Sequence, residues 1–426
     1  MVPVITFAAA TLLLLIPSRI LAGVFYEDGA TTMHFAFEGN PNGDRPVVRP
    51  PAFYHADDGF GFVDSPTLIG TANGVTAPKY FRFDVNLPDG NYDVSITFGG
   101  TRDESVTTVK AQGHRPMLLD IRVAPRQTVT RTFTVNVHGG GVKPSDSTGP
   151  LDADGRLHLE FVGVNPSMMK LDIAPNTSAT TVFLAGDATV TDHDDIPLAG
   201  WGQMLPILFK PGEVAVANQS VPASTDELKA QQLAEIEKTI KPGDWILVQF
   251  GANEMVGTAL DADKWKTMLK TYVDEAHKHQ ANCVLIVPPM TWAAGGGGFN
   301  IDNSAAIAQW INAVAKEQNV PVIDLATTTS GLLDAINAAD RDKVFEEDPA
   351  HPLVAGQPMP NRFRYLSAYG AFELAKLVAQ GIQNQKLDLA SHLVGDVTSN
   401  PDPAKFPAHL GYDYLLNTSA RSASAQ

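Results

Sequence analysis

The sequence predicts two unlike halves: an all-β sandwich over residues 24–175, then an α/β domain over residues 180–385 built on a doubly wound parallel sheet. Two observations lead there. Up to about residue 175, short alternating runs are broken by Gly, Pro and Asp turns, and no useful helical period interrupts them. From Thr181 onward, apolar runs of strand length alternate with amphipathic runs of helix length, the pattern of a parallel sheet covered on both faces.

The chain opens with "VITFAAATLLLLIP", too short to span a bilayer comfortably and followed by a small residue at Ala22. Residues 1–22 are expected to be a secretory signal peptide, although no Lys or Arg precedes the apolar run; an uncleaved anchor is the alternative. No later segment is long and apolar enough to span a membrane, so no stable span is expected after cleavage. The β half contains "TMHFAFEG", "KYFRFDVNLPDGNYDVSITFGG", "RTFTVNVHGG" and "RLHLEFVG". Within it, Pro88 to Gly90 form a turn, after which Tyr92, Val94, Ile96 and Phe98 alternate as one face of a strand. The α/β strands are "TVFLAG", "EVAVANQS", "DWILVQFG", "NCVLIVPP" and "VPVIDL". Helices are expected at "GWGQMLPILF", "TDELKAQQLAEIEKTI", "ADKWKTMLKTYVDEAHKH", "AAIAQWINAVAKEQN" and "SAYGAFELAKLVAQGI". Residues 386–426, rich in Pro, Ser and Asn, are expected to be an extended tail, disordered after about Asn417.

Composition narrows the function. A net charge of −16 argues against nucleic-acid binding, which needs a basic footprint. The single cysteine, Cys283, lies in an apolar run and reads as a small hydrophobe; no Cys/His cluster has metal-ligand spacing, so neither metal nor cofactor is expected. Sequons at Asn176, Asn218 and Asn417 matter only in a glycosylating host.

Parallel sheets place ligands at the carboxyl ends of their strands. There the sequence puts Gly186–Asp187–Ala188–Thr189, then Asn218 through Ala223, then Gly251–Ala252–Asn253–Glu254, and before the last helix Asn361 through Tyr365. Any one of these is a turn or cap residue; four polar segments converging on one edge make a stronger signal.

With "FLAGDATVTD", "GWGQMLP", "VAVAN", "IKPGDWILVQFGANE" and "AYGAFELAKLVAQGI" in order, the chain resembles the SGNH (GDSL-type) hydrolases, in particular their rhamnogalacturonan acetylesterase-like branch. "GFGFVD", "LPDGNYDVSITFG", "TTVKA", "FTVNV" and "LEFVG" resemble the galactose-binding-like sandwich that often precedes that domain. The likeness spans roughly residues 30–385 and implies the flavodoxin-like, doubly wound SGNH hydrolase fold. It also implies a Ser nucleophile, an oxyanion hole of Gly and Asn, and an Asp-x-x-His pair before the last helix. Carried over residue by residue, the nucleophile falls on Ala188, the oxyanion Gly on Ala223, the oxyanion Asn on Asn253, the Asp on Arg362 and the His on Tyr365. Only Asn253 keeps the family's residue. Asp348 and His351 also read Asp-x-x-His, but a Pro-rich loop follows them where the family has a helix. Thr189, Ser220, Ser224 and Thr225 are nearby hydroxyls, with turn and capping roles as the plainer reading.

Three functions follow as expectations. The first is a secreted, catalytically degenerate carbohydrate-esterase-like protein that binds polysaccharide, with Trp201, Trp292 and Tyr365 as stacking groups or, for each Trp, core packing, and with Asp187 and Glu254 in the groove. The second is different chemistry at the same cleft, glycoside hydrolysis or elimination, with Asp187, Glu254, Asp348 or Tyr365 as acid and base. It requires carboxyls facing an open cleft; an Asp187 buried and capped by amides weakens it. The third is residual polysaccharide deacetylation. "PM" followed by Trp292, Ala293 and Ala294, with the acidic balance, suggests a ligand less anionic than a pectic backbone.

Overall fold

The computed structural model describes residues 32–37, 48–50, 52–71, 73–139, 154–193, 197–223, 225–252, 260–289, 301–346, 365–399 and 401–410. The N-terminal half holds two antiparallel sheets. A four-stranded sheet runs Met33–Ala36, Lys170–Pro175, Gly90–Gly99 and Thr128–Val137 in spatial order. A five-stranded sheet runs Phe60–Val63, Tyr80–Asn86, Arg156–Val164, Ser105–Ala111 and Arg115–Val123. Strand alternation sends one side chain in two inward. Tyr92, Val94, Ile96 and Phe98 from the first sheet therefore meet Phe81, Phe83, Leu159 and Phe161 from the second in one core. Edge-to-face contacts among Phe35, Phe37, Phe60, Phe62 and Phe83 fill one end of it.

The second half is a five-stranded parallel sheet in the order Val214–Asn218, Thr180–Gly186, Trp245–Gln249, Asn282–Val287, Val322–Asp324. The order reverses direction next to Thr180–Gly186, which places a crevice at that strand's carboxyl end. Both faces are buried, as a parallel sheet requires. Val182 and Leu184 point into a core with the helix Ala368–Asn384, whereas Phe183 and Ala185 point into a second core with the helices Asp226–Glu237 and Ala262–Lys278. The helices Asp226–Glu237 and Ala368–Asn384 start where Thr225 and Ser367 accept a backbone N–H from Leu228 and Gly370.

Several expectations change. The run at Trp201 is a single turn, Trp201–Met204, continued as a 3₁₀ turn over Leu205–Leu208, because Pro206 removes a helical donor. A helix not anticipated spans Leu325–Ala335; its Thr run and Gly331 hide it, and the Asp324 side chain, accepting from Thr327 N–H, starts it. The tail is not extended over its described part: Leu389, Leu393 and Val397 enter the core beside the last helix, and Leu410 is fully buried. Asn176 and Asn218 are buried, their side-chain amides donating to Asp93 and the Gly212 carbonyl and to the Val190 carbonyl and Asp192 respectively, so neither offers a glycan attachment point. Asn417 and residues 1–22 lie outside the described residues. Cys283 is buried, and burial pushes its thiol up to about 12. No helix among the described residues is long and apolar enough to cross a membrane.

Candidate functional site

The first parallel strand ends at Gly186, where a Cβ would meet Val190 Cγ2 at 2.5 Å and the Gln249 carbonyl at 2.7 Å. Only glycine allows that approach. The backbone then turns sharply: Val190 N–H and Thr191 N–H both donate to the Asp187 carbonyl. The turn is clamped from behind by Gly202, whose absent side chain lets the backbone close on the Val190 carbonyl.

Asp187 is fully buried, and its carboxylate is the anchor of the turn. One oxygen accepts from the Gly251 and Ala252 amides at 3.0 and 2.8 Å. The other accepts from Thr189 N–H, Thr189 Oγ1 and Gln249 Nε2 at 3.2–3.4 Å. Gln249 Nε2 also donates to Thr189 Oγ1 at 2.7 Å, and Gln249 Oε1 accepts from the Trp201 indole at 2.7 Å. The expected ligand-facing roles of Asp187 and Trp201 are therefore corrected. Neither has exposed surface, and Trp201 packs in the core beside Val190 and Leu184. An acid/base pair built on Asp187 loses its acid, since this carboxylate already takes its hydrogen bonds from fixed donors.

Ala188 stands at the tip of this turn with 6% exposure and presents a methyl group. One group missed at the sequence level, His193, lies against its backbone, and Tyr365, which the resemblance had assigned to the site, packs on His193. The His193 ring donates from Nε2 to the Ala188 carbonyl at 2.7 Å, and the Tyr365 ring packs edge-on against His193 with centroids 5.6 Å apart. The signal for His193 was present in "TVTDHDD", seven residues beyond the strand. Tyr365 opens a short strand, Tyr365–Ser367, paired with Leu198–Ala199 and Phe345–Glu346. The neighbouring hydroxyls are occupied or isolated: Thr189 Oγ1 as above, Thr191 Oγ1 donating to the Ser220 carbonyl at 2.8 Å, and Ser220 Oγ buried with no hydrogen-bond partner. Thr225 caps its helix. Ala223 is half-buried after the second strand. Asn253, Glu254, Trp292, Arg362, Ser224 and the pair Asp348/His351 lie outside the described residues.

The N-terminal half reaches this loop through the turn Gln112–Arg115, in which Gln112 and His114 adopt left-handed backbone angles of +55° and +58°. Arg115 donates from Nε to Asp192 at 2.7 Å and from Nη1 to the Val216 carbonyl at 3.1 Å, with both charged side chains almost wholly buried. Asn218 Nδ2 donates to the other Asp192 oxygen at 3.0 Å, and Gln203 Nε2 donates to the Gly113 carbonyl at 2.5 Å. Behind the turn, the outer face of the five-stranded sheet carries buried charge. His114 pairs with Glu160 at 2.8 Å, Arg82 with Asp84 at 2.7 Å, and His158 with both Asp84 and Asp154 at 3.0 Å. Burial works to raise the Glu160 carboxyl, but the charges of His114 and Lys110 more than offset it and hold it low. Lys110 is fully buried, and burial lowers its amine to about 7.

A GDSL-like lipase/acylhydrolase family model matches residues 185–358, a stretch that begins on the strand leading into this turn. The rhamnogalacturonan acetylesterase RhgT of Bacillus subtilis (strain 168) is 32% identical over 219 residues, 50% of this chain and 94% of that protein. The chain belongs to the GDSL-like lipase/acylhydrolase family. Within the family, the probable rhamnogalacturonan acetylesterase YesY of the same organism is 27% identical over 51% of this chain and 98% of that protein. An uncharacterized esterase from it, YxiM, is 26% identical over 288 residues, 64% of this chain and 70% of that protein. A solved structure of YxiM covers 84% of this chain and 99% of its own at 21% identity, with a TM-score of 0.42.

Proposed function

We propose that this family member is a secreted, polysaccharide-directed protein that retains the esterase scaffold without ester hydrolysis. One observation carries the reading. At the tip of the turn that Asp187, Gln249 and Gly186 hold in place, the side chain is the methyl of Ala188. Acyl transfer needs a hydroxyl there, a base to take its proton and an acid to orient the base. Tyr365 and Arg362, at the positions the family resemblance assigns to the base and acid, supply neither role at neutral pH. Of the hydroxyls nearby, Thr189 and Thr191 are spent on the turn itself, and no base contacts Ser220. Loss of the nucleophile alone lowers acyl-transfer rates by roughly 10⁴–10⁶-fold. The carbohydrate class of the ligand is supported by the relatives named rhamnogalacturonan acetylesterases. The N-terminal sheets, read as a galactose-binding-like module, fit the same class.

The test is acetate release from acetylated rhamnogalacturonan and acetylated xylan by the natural protein and by Ala188→Ser combined with Tyr365→His. No release by the natural protein above buffer, with retention on the glycan, is expected. Release at an enzyme-like rate would sink the proposal and place the nucleophile elsewhere. Ala188→Ser alone is expected to stay inactive, since the nearest described imidazole, His193, already donates to the carbonyl of residue 188.

A further inference from the structure

The two halves are joined by a short turn over residues 176–179, in which the Asn176 side chain accepts from the Ser178 and Ala179 amides. Beside it, Asn91 Nδ2 donates to Thr181 Oγ1 at 2.9 Å, and Gly212 N–H donates to Thr134 Oγ1 at 2.6 Å. These contacts fix a pivot at the amino end of the strand Thr180–Gly186. The Ala188 turn follows the carboxyl end of that strand, about 20 Å away at the rise of an extended chain. What reaches it there from the N-terminal half is the tip of one hairpin, formed by Ser105–Ala111 and Arg115–Val123. The tip fits flush: a Cβ on Gly113 would meet Asp192 Cβ at 2.7 Å.

Residues 401–410 hold the same hairpin. His409 Nδ1 lies 2.7 Å from Asp120 Oδ1, Lys110 Nζ donates to the Leu410 carbonyl at 3.0 Å, and Leu410 is fully buried. Asp120 stands at a register shift of the hairpin with a left-handed φ of +44°, and its amide donates to Thr108 Oγ1 at 3.0 Å. Such an irregularity re-aims a side chain, here toward His409. Earlier in the segment, Phe406 packs on the Tyr369 and Phe372 rings of the last helix, with centroids 5.6 and 6.1 Å apart. The segment therefore runs from the α/β domain to the hairpin.

We propose that residues 401–410 are a clasp that holds this hairpin down on the Ala188 turn, and that releasing the clasp lets the hairpin lift about the pivot and opens the turn to a ligand. Ala188 is 6% exposed in the clasped arrangement, too little for a polymer to reach. The hairpin is held unequally. At its tip, the Arg115–Asp192 pair is almost wholly buried. Along its strands, the His409–Asp120 pair is open to solvent, and residues 401–407 are all half-buried or exposed. A solvated ion pair contributes little, and a segment with few buried contacts opens before the core does, so the clasp is the part that gives first. That the opened turn receives a ligand rests on the function proposed above; the lifting of the hairpin does not.

The experiment places a thiol at the turn. Ala188→Cys in the full chain is reacted with a chromogenic disulfide, with the natural protein as the blank, since its one cysteine, Cys283, is buried. Three changes are added to it in turn: Phe406→Ala with His409→Ala, which loosens both ends of the clasp; Leu410→Asp, which expels its buried end; and Lys270→Ala, at a solvated pair elsewhere in the α/β domain. The thiol is expected to react about fivefold faster or more with the first two and at an unchanged rate with the third. Amide hydrogen exchange in the same proteins should quicken over residues 105–123 and 187–193 and stay as it was over Asn282–Val287, a strand that does not touch the hairpin. An unchanged thiol rate while residues 401–410 exchange freely would overturn the proposal. So would an equal loss of protection over Asn282–Val287, which marks general unfolding rather than lifting. If Leu410→Asp does not fold, the double variant decides; if neither folds, the segment is core and not a clasp. No glycan enters either readout, so a failure of the ligand reading and a failure of the clasp are seen separately.

Discussion

The Ala188 turn and the outer face of the five-stranded sheet both bury carboxylates, and they hold them in opposite ways. On the sheet face, the buried Asp84 and Glu160 are matched by Arg82, His158 and His114 of the same sheet, and His158 also reaches the exposed Asp154 at its edge. In the turn, Asp187 accepts from the backbone amides of Gly251 and Ala252 and from the neutral side chains of Thr189 and Gln249. Asp192 is matched, but by Arg115 from the other domain. The sheet face is a self-contained structural network. The turn is a rigid mount assembled from several distant segments, and rigidity of that kind is what a reactive side chain needs.

Breaking the cross-domain pair is the harshest test of this contrast. Arg115→Ala leaves the Asp192 charge buried and uncompensated, and about 3–5 kcal/mol of stability should be lost. Urea unfolding measures it, and Arg115→Met with Asp192→Leu should recover most of the loss; if the single variant is neutral, the pair does not join the halves. Next comes Asp187→Asn, which keeps the shape but weakens charge-assisted bonds from two amides. A loss of about 2 kcal/mol is expected, with the sheet-face network unaffected.

The sheet face should instead reveal itself through pH. Despite burial, hydrogen bonds from His158 and Arg82 hold Asp84 low, and those from His158 and Arg156 hold Asp154 low. These groups contribute stability above the ordinary carboxylate range, lost as pH falls through their folded values. His158 moves the other way. Burial lowers it, the two aspartates more than offset that, and Arg82 Nη2, 2.6 Å from its Nδ1, opposes them in part. Its contribution is complete below the unfolded value of about 6.5 and is lost as pH rises through the folded one. Lys110, lowered to about 7, sheds its proton on folding between that value and the ordinary lysine range, so it makes stability rise with pH there. In Lys110→Met, the stability-versus-pH curve should therefore fall more steeply above about pH 7 than in the natural protein; parallel curves would show that Lys110 does not titrate there. The smallest effect is expected at the solvated pair Lys270–Glu317, 2.7 Å apart, where Lys270→Ala should cost about 0.5 kcal/mol or less and vanish in high salt.

What the sequence disclosed follows the range of the forces involved. The parallel strands were legible because their apolar runs answer to burial on both faces, and Gly186–Asp187–Ala188 because a strand ending on glycine is a local signal. The helix at Leu325 was not, since consecutive threonines disfavour a helix until Asp324 caps it. The tail was not, since Leu389, Leu393 and Val397, although spaced four apart, sit among Pro, Ser and Asn and acquire meaning only from the core that receives them. Arg115 and Asp192 are 77 residues apart in separate domains, and nothing local to either names the other. For Trp201, sugar stacking and core packing were equally open from sequence, and only the hydrogen bond to Gln249 and the packing around it decide for the core.

The ammonium of Lys110 donates to the carbonyl of Leu410 at 3.0 Å, a partner 300 residues later in the chain. Read against the direction of synthesis, this joins nearly the first sheet to nearly the last described residue. A ribosome adding about 5–20 residues per second needs roughly 15–60 s to deliver that carbonyl after the lysine has emerged. The N-terminal sheets must wait that long for this hydrogen bond, and the parallel domain waits nearly as long for Leu389 and Leu393. Completion of the fold is therefore an event that follows translation, and a stop codon placed near residue 386, where the sequence motifs end, would release a chain with both halves unfinished.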